Sequence, residues 1–218
     1  MLANPEGRCS SVTKVKICGL MELQHVQAAV DAGVDAVGFV FAPSRRRVAI
    51  AQAKELARFV PENVMKIGVF VDATREEMER AFQEVPLDFI QYHGDESEEF
   101  IKTVGLPSIK VLSVRGVEEV ENAKTVQTEY VLFDTPGTEF RGGSGEVFDW
   151  SFLDGNLPRD RMILAGGLNA QNVKEAIRRT RPFMVDVSSG VEIDKRKDET
   201  LIREFIRAVK EEESLYGN

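Results

Sequence analysis

Short apolar segments recur along the chain, and helical patterns separate them. Apolar residues occupy both odd and even positions in these segments, which indicates strands that are buried on both faces. Burial on both faces is typical of a parallel sheet that is covered by helices. The eight predicted strands are Val15–Ile17, Ala36–Phe41, Lys66–Val71, Phe89–Tyr92, Ser108–Leu112, Tyr130–Phe133, Met162–Ala165 and Phe183–Val187.

Between these strands the apolar residues change to the spacing of amphipathic helices. The spacing is clearest within residues 53–60, 78–85 and 201–209, and weaker examples follow most of the other strands. Thr74, Ser97 and Asn169 are residue types that favour helix starts, and Asp149 is a candidate cap for the sixth helix. The pattern therefore predicts eight strand–helix units.

Eight such units in 218 residues favour a (βα)8 barrel, an α/β fold with eight parallel strands and outer helices. The alternative is an open doubly wound sheet. However, no G-x-G-x-x-G follows the first strand and no G-x-x-x-x-G-K-[ST] occurs, so the commonest nucleotide sites of open sheets are missing. No linker divides the chain, which predicts one barrel domain over residues 12–218 and a flexible N-terminal extension over residues 1–11.

Composition and charge argue against several classes of partner. The formal net charge of −8 argues against a nucleic-acid partner, because an acidic surface gains nothing from releasing the counterions of a phosphate backbone. No apolar run could span a bilayer and no signal peptide is visible, so we expect no membrane partner and a cytoplasmic location. Cys9 and Cys18, taken with His25 and His93, fit no disulfide framework and no zinc pattern, so we expect no metal.

Polar and reactive residues collect where the predicted strands end, which is the face that carries the active site in (βα)8 barrels. Cys18 ends the first strand, His93 follows the fourth and Asp134 the sixth. Glycine-rich loops follow the last three strands, where backbone N–H groups can approach phosphate oxygens closely. The alternative is that these glycines only form tight turns. The predicted phosphate-binding residues are Gly143, Gly145, Gly166, Gly167, Ser188, Ser189 and Gly190.

Eight stretches, in order, resemble the successive signatures of the phosphoribosylanthranilate isomerase family. They are "VKICGL", "AVGFVFAPSRRRV", "IGVFVD", "IQYHGDE", "LFDT", "GGSGEVFDW", "LAGGLNAQNV" and "VDVSSGVE". Two departures are small: Tyr92 stands where leucine is usual, and Ala165 replaces a usual serine. The resemblance implies a (βα)8 barrel that performs an Amadori rearrangement in tryptophan biosynthesis, on a small phosphosugar-anthranilate substrate and with no cofactor.

The resemblance also implies site residues. The family's general base falls on Cys18 and its general acid on Asp134. The arginine that contacts substrate matches Arg47 best, although the register among Arg45, Arg46 and Arg47 stays open. His93 is a candidate substrate contact, and the alternative is a histidine satisfied at the edge of the core.

A catalytic thiolate requires electrostatic help, because a free cysteine has a pKa of about 8.5. Lys16 lies two residues before Cys18, so both side chains leave the same face of the strand. We expect Lys16 to face the barrel interior, to bias Cys18 toward the thiolate and to pair with Asp186. Asp186 is also a predicted substrate-binding residue.

Two other functions fit a barrel with a phosphate site. One is a related phosphosugar enzyme, such as an indole-ring-closing synthase, which would favour a catalytic lysine and glutamate. The other is a non-catalytic phosphosugar-binding barrel, which would need neither acid nor base. Cys18 and Asp134 together favour the isomerase. The sequence leaves open whether the protein is a monomer or a homodimer.

Overall fold

The eight predicted strands form one closed parallel barrel in the computed structural model, which describes residues 12–135, 149–153 and 159–214. Each strand pairs with its neighbour in sequence, and the last strand closes the barrel against the first. The predicted strand ends are confirmed to within one residue. The strands are β1 (Lys14–Cys18), β2 (Ala36–Val40), β3 (Met65–Phe70), β4 (Phe89–Tyr92), β5 (Ser108–Ser113), β6 (Tyr130–Asp134), β7 (Met162–Leu164) and β8 (Met184–Val187).

Helices surround the barrel, as the spacing predicts. Thr74 accepts a hydrogen bond from the backbone N–H of Glu77, and Ser97 from that of Phe100, so both predicted caps are confirmed. Asn169 instead accepts from Gln171 and Asn172 in the turn before the next-to-last helix. The helices are α1 (Leu23–Asp31), α2 (Ile50–Ala57), α3 (Arg75–Glu84), α4 (Glu98–Val104), α5 (Val117–Asn122), α6 (Val173–Thr180) and α7 (Glu199–Ser214).

Two connections differ from the predicted pattern. Between β6 and β7 the described residues hold the 3-10 turns Trp150–Leu153 and Arg159–Arg161 in place of the expected α-helix. Asp149 caps the first of these turns by accepting from the backbone N–H of Ser151. Between β8 and α7 lies an unpredicted hairpin of two short strands, β9 (Glu192–Ile193) and β10 (Arg196–Lys197).

The barrel interior changes from apolar to polar along its axis, because alternate residues of each strand point inward. At the amino-terminal end the rings of Tyr130 and Phe183 stack, and Phe89 meets Tyr130 edge-on. A second layer is aliphatic and includes Ile67 and Ile109, each 1% exposed. The carboxyl-terminal end is polar, so the alternation that builds the core also delivers polar side chains to one mouth.

The larger apolar core lies between the barrel and the helices. Fully buried side chains of α7, such as Phe205 and Ile202, pack there against the strands. Burying one side chain of this size contributes about 1.5–3 kcal/mol. Within the described ranges, no helix has the length and apolar character needed to cross a membrane. The predicted N-terminal extension, residues 1–11, lies outside the described residues.

Candidate active site

A cavity of about 880 Å³ opens at the carboxyl-terminal end of the barrel. This volume lies within the range of small-molecule sites in proteins, roughly 300–1,000 Å³. Cys18 from β1 and Asp134 from β6 both line it, as do side chains and loops from β2, β3, β4, β7 and β8. The two residues lie far apart in sequence, and closure of the barrel brings them to one chamber.

Cys18 is the last residue of β1 and is a free thiol, 8% exposed. Its neighbour on β2 is Gly38. A Cβ atom at position 38 would lie only 2.9 Å from the Cys18 sulfur and 3.3 Å from Cε of Lys16. Glycine is therefore required here by space, because any side chain would displace the thiol or the lysine.

Lys16 is completely buried beneath Cys18, which confirms that it faces the barrel interior. Its Nζ donates to Oδ2 of Asp186 at 3.0 Å and to Oε1 of Gln91 at 2.9 Å. The pairing of β1 with β8 places Lys16 opposite Asp186, so the predicted ion pair is confirmed. The other oxygen of Asp186, Oδ1, is buried without a hydrogen-bond partner among the described residues, and Asp186 lines the cavity.

Burial and charge act on Cys18 in opposite directions. Burial is the larger effect and raises the pKa of the Cys18 thiol, while Lys16 lowers it and Asp186 adds a smaller increase. Burial lowers the pKa of Lys16, but Asp186 and Cys18 more than compensate, so the pKa of Lys16 is raised and the ammonium persists. Lys16 thus favours the thiolate, as expected, but burial is the larger effect and the net pKa of Cys18 is raised.

Asp134 ends β6 and is held at both carboxylate oxygens. Oδ1 accepts from the backbone N–H of Thr135 at 2.8 Å, and Oδ2 lies 3.5 Å from Nε2 of His93. The His93 side chain is 14% exposed, and its Nδ1 lies 3.3 Å from Nε2 of Gln91. The structure therefore brings His93 to the cavity as a neighbour of Asp134.

The loops after β7 and β8 pack directly on one another and on β6. Gly166 has φ of +83°, and a Cβ atom there would lie 2.3 Å from Oγ1 of Thr135. Gly166, Gly167, Ser188 and Ser189 line the cavity, whereas Gly190 packs behind them against Leu168. Tight packing thus accounts for Gly166 and Gly190 independently of any ligand. Gly143 and Gly145 lie outside the described residues.

The three consecutive arginines take different positions. Arg45 and Arg46 line the cavity. The backbone of Arg47 bridges to Val40 at the end of β2, but its side chain is exposed and favours ionisation of Glu77, whose pKa is lowered chiefly by its hydrogen bonds to Thr74. A substrate contact by Arg47 stays a prediction, and it requires this side chain to turn into the cavity.

Arg45 and Arg46 join the β9–β10 hairpin through what we call the Glu192 cluster: Arg45, Arg46, Glu192 and Lys197. Glu192 accepts from Arg45 at 2.7 Å, from Nε of Arg46 at 2.6 Å and from Nζ of Lys197 at 2.8 Å. Burial alone would raise the pKa of Glu192, but the cationic partners dominate and lower the pKa to about 2. Lys197 also donates to the backbone oxygen of Ser188, so the cluster ties the arginines to the β8 loop.

A protein-family model described as "N-(5'phosphoribosyl)anthranilate (PRA) isomerase" matches residues 15–208. This chain belongs to the phosphoribosylanthranilate isomerase family. A relative from Bacillus cereus (strain B4264), named N-(5'-phosphoribosyl)anthranilate isomerase, is 45% identical over 201 residues, which cover 91% of this chain and 98% of the relative.

Solved structures of phosphoribosylanthranilate isomerases share the fold closely. That of the Thermotoga maritima protein is 39% identical and superposes with a TM-score of 0.83, over 91% of this chain and 99% of the other. A second, described as a complex with reduced 1-(o-carboxyphenylamino)-1-deoxyribulose 5-phosphate, is 37% identical with a TM-score of 0.80 and the same coverage. The barrel predicted from the sequence is confirmed.

Sequence reasoning did not single out Gln91, Gly38, Glu192 or Lys197 as parts of the site. For Gln91 a signal was available, because it lies two residues before His93 and so shares its face of β4. Gly38 lies within the family stretch "AVGFVF" but carries no chemistry of its own. Glu192 and Lys197 belong to a hairpin too short to show a periodic pattern.

Proposed function

We propose that this phosphoribosylanthranilate isomerase family member converts N-(5'-phosphoribosyl)anthranilate into 1-(2-carboxyphenylamino)-1-deoxyribulose 5-phosphate, a step of L-tryptophan biosynthesis. One observation carries the proposal: a thiol and a carboxyl group from β1 and β6 line the same cavity as the loops after β7 and β8, within a family of this named activity.

Asp134 is the proposed general acid. Its proton passes to the ribose ring oxygen while the bond from that oxygen to C1 breaks, and the anthranilate nitrogen lone pair forms an iminium. The carboxyl group is nearly buried, and low water access keeps a transferred proton on the reaction path. A positioned acid typically accelerates such a step by about 10²–10⁴-fold.

Cys18 is the proposed general base, which removes the proton from C2 of the iminium. The electron pair of the C–H bond forms the enolamine, which then tautomerises to the ketone. Because burial raises the pKa of the thiol, its thiolate depends on Lys16 below it. The positive charge of the iminium adds to this stabilisation when substrate is bound, so the base is activated where and when it is needed.

Substrate binding is assigned to groups around these two. Backbone N–H groups at Gly166 and Gly167 and the hydroxyls of Ser188 and Ser189 are the proposed phosphate contacts, with Gly143, Gly145 and Gly190 as further predicted members. Asp186 lines the cavity and its Oδ1 has no hydrogen-bond partner among the described residues, so Asp186 is the proposed acceptor for a sugar hydroxyl.

Cations at the mouth complement an anionic substrate. Arg46 and Lys195 line the cavity and supply positive charge toward the phosphate or the anthranilate carboxylate. Arg47 stays a predicted substrate contact, and His93 a predicted one beside Asp134. The substrate is a small molecule; a cytoplasmic location and a monomeric or homodimeric state remain predictions.

Loss of the fluorescence of anthranilate-linked phosphoribose tests the function directly. Purified protein should consume this substrate without added metal or nucleotide, and Cys18→Ala and Asp134→Asn should each lower kcat by at least ~10²-fold. Asp160→Asn, at the exposed turn before β7 on the opposite face of the barrel, is the matched control and should keep full activity. Normal turnover by Cys18→Ala would remove the proposed base.

A further inference from the structure

Four side chains form a continuous line of polar contacts across the barrel, from β1 to the carboxyl-terminal end of β6. Nζ of Lys16 lies 2.9 Å from Oε1 of Gln91, and Nε2 of Gln91 lies 3.3 Å from Nδ1 of His93. Nε2 of His93 then lies 3.5 Å from Oδ2 of Asp134, a distance longer than a typical N–H···O hydrogen bond but within that of an ion pair. We call these four residues the polar line.

The direction of every contact in the polar line follows from its first member. An ammonium group has donors and no acceptor, so Lys16 can only donate, and the amide of Gln91 must turn its oxygen toward it. The amide nitrogen of Gln91 then faces His93 and donates to Nδ1. A ring nitrogen that accepts carries no proton, so the imidazole proton resides on Nε2, which faces Asp134.

The reverse arrangement is excluded by the same donor and acceptor inventory. A flipped Gln91 amide would place an NH2 group 2.9 Å from the ammonium of Lys16, with two sets of donors opposed in a buried site. A proton on Nδ1 of His93 would likewise oppose the amide NH2 of Gln91 at 3.3 Å. Gln91 is 1% exposed and Lys16 is fully buried, so water does not relieve either clash.

We propose that Lys16 and Gln91 are positioning residues that hold His93 as the neutral Nε2–H tautomer, with this N–H directed at Asp134. The tautomer matters for catalysis because a bare Nε2 would accept the proton of Asp134. Asp134 would then be ionised, and it would have no proton to donate to the substrate. With Nε2 already protonated, the imidazole cannot take the Asp134 proton, which stays available to the substrate oxygen. This catalytic consequence rests on the proposed function, whereas the tautomer itself does not.

The tautomer can be read without substrate by ¹⁵N NMR of histidine-labelled protein. The chain has two histidines, so two imidazole spin systems are expected, and His25→Asn assigns them. Near pH 8, where an ordinary imidazole is neutral, His93 should show a pyrrole-type Nε2 and a pyridine-type Nδ1. A pyrrole-type Nδ1, or two pyrrole-type nitrogens, would overturn the proposal whatever the enzyme's activity.

Gln91→Glu tests the link between tautomer and turnover. A carboxylate accepts from both neighbours, so Nδ1 of His93 should gain a proton and kcat should fall by at least roughly 10-fold, with KM changed by less than about 3-fold. Gln24→Glu is the matched control, because Nε2 of Gln24 lies 3.4 Å from Nε2 of the other histidine, His25, and Gln24 is exposed. It should leave the His93 spectrum and kcat unchanged.

Two results with Gln91→Glu contradict the proposal. An unchanged His93 spectrum means that Gln91 does not set the tautomer. A changed tautomer with wild-type kcat means that the tautomer does not serve the acid. If Gln91→Glu does not fold, the wild-type spectrum still decides the tautomer. His93→Asn then tests its relevance: loss of the imidazole N–H should lower kcat by a similar factor with KM changed by less than about 3-fold, whereas loss of a substrate contact alone would raise KM. If the wild-type protein shows the tautomer but consumes no substrate, the proposed function fails and the positioning does not.

Discussion

Glu192→Gln is a demanding test of the electrostatics at the cavity mouth. The substitution keeps the shape of the side chain but removes the negative charge that Arg45, Arg46 and Lys197 share. The Glu192 side chain is 5% exposed, and that of Lys197 is 2% exposed. Removing the carboxylate therefore leaves a buried ammonium without its counter-charge.

Two routes give the magnitude of this loss. The pKa of Glu192 is lowered from 4.5 to about 2 in the folded protein. At about 1.4 kcal/mol per pH unit, the ionised carboxylate contributes roughly 3 kcal/mol to the free energy of unfolding at neutral pH, and solvent screening at the mouth reduces this value. Breaking a buried ion pair by removing one partner typically costs about 3–5 kcal/mol. We therefore expect Glu192→Gln to lower the free energy of unfolding at pH 7 by roughly 2–4 kcal/mol.

The pH dependence distinguishes the charge from simple packing. The folded-state pKa of Glu192 is depressed, so its contribution is fully present above the unfolded pKa of about 4.5 and is lost as pH falls toward about 2. Urea denaturation of wild type and Glu192→Gln at pH 7 and pH 3 measures this. The difference between the two proteins should shrink by roughly half at pH 3.

An exposed ion pair serves as the control. Arg80 and Glu84 approach to 3.6 Å with side chains 69% and 46% exposed, so Glu84→Gln should change stability by less than about 1 kcal/mol at pH 7. The reasoning would be refuted if Glu192→Gln behaved like Glu84→Gln, or if its destabilisation were the same at both pH values.

Three further predictions follow from single contacts. In Lys16→Met the Cys18 thiol loses the cation that lowers its pKa, so the rising limb of the kcat/KM against pH profile should move to higher pH; an unmoved limb would contradict the role of Lys16. Gly38→Ala should lower kcat at least ~10-fold with little change in KM, because the added Cβ would displace the Cys18 sulfur. Steady-state kinetics measures this, and a folded variant with wild-type kcat would contradict the prediction. Tyr92→Phe removes a buried hydroxyl that has no partner among the described residues, so thermal unfolding should show stability unchanged or raised by up to about 1 kcal/mol, and a clear loss would reveal a hidden partner.

The barrel, and the presence of Cys18, His93 and Asp134 at its mouth, could be predicted from the sequence by itself. Strands buried on both faces, alternating with helical periods, are local patterns, and each reports burial within its own segment. The period of two along a strand places Lys16 on the same face as Cys18, and the (βα)8 fold brings the carboxyl ends of all strands to one site. The pairing of Lys16 with Asp186 followed from strand order and the need of a buried ammonium for a partner.

Tertiary structure alone decided how those groups act on one another. The net direction of the Cys18 pKa depends on how completely closure of the barrel removes water, and no local pattern measures that. Which arginine faces the cavity depends on side-chain directions in a loop, where Arg45 and Arg46 pair with Glu192 and the side chain of Arg47 is exposed. The polar line joins β1, β4 and β6, and the tautomer of His93 follows from an ammonium 77 positions earlier in the chain. Donor and acceptor directions are transmitted through space between strands, so they exist only once the barrel has closed.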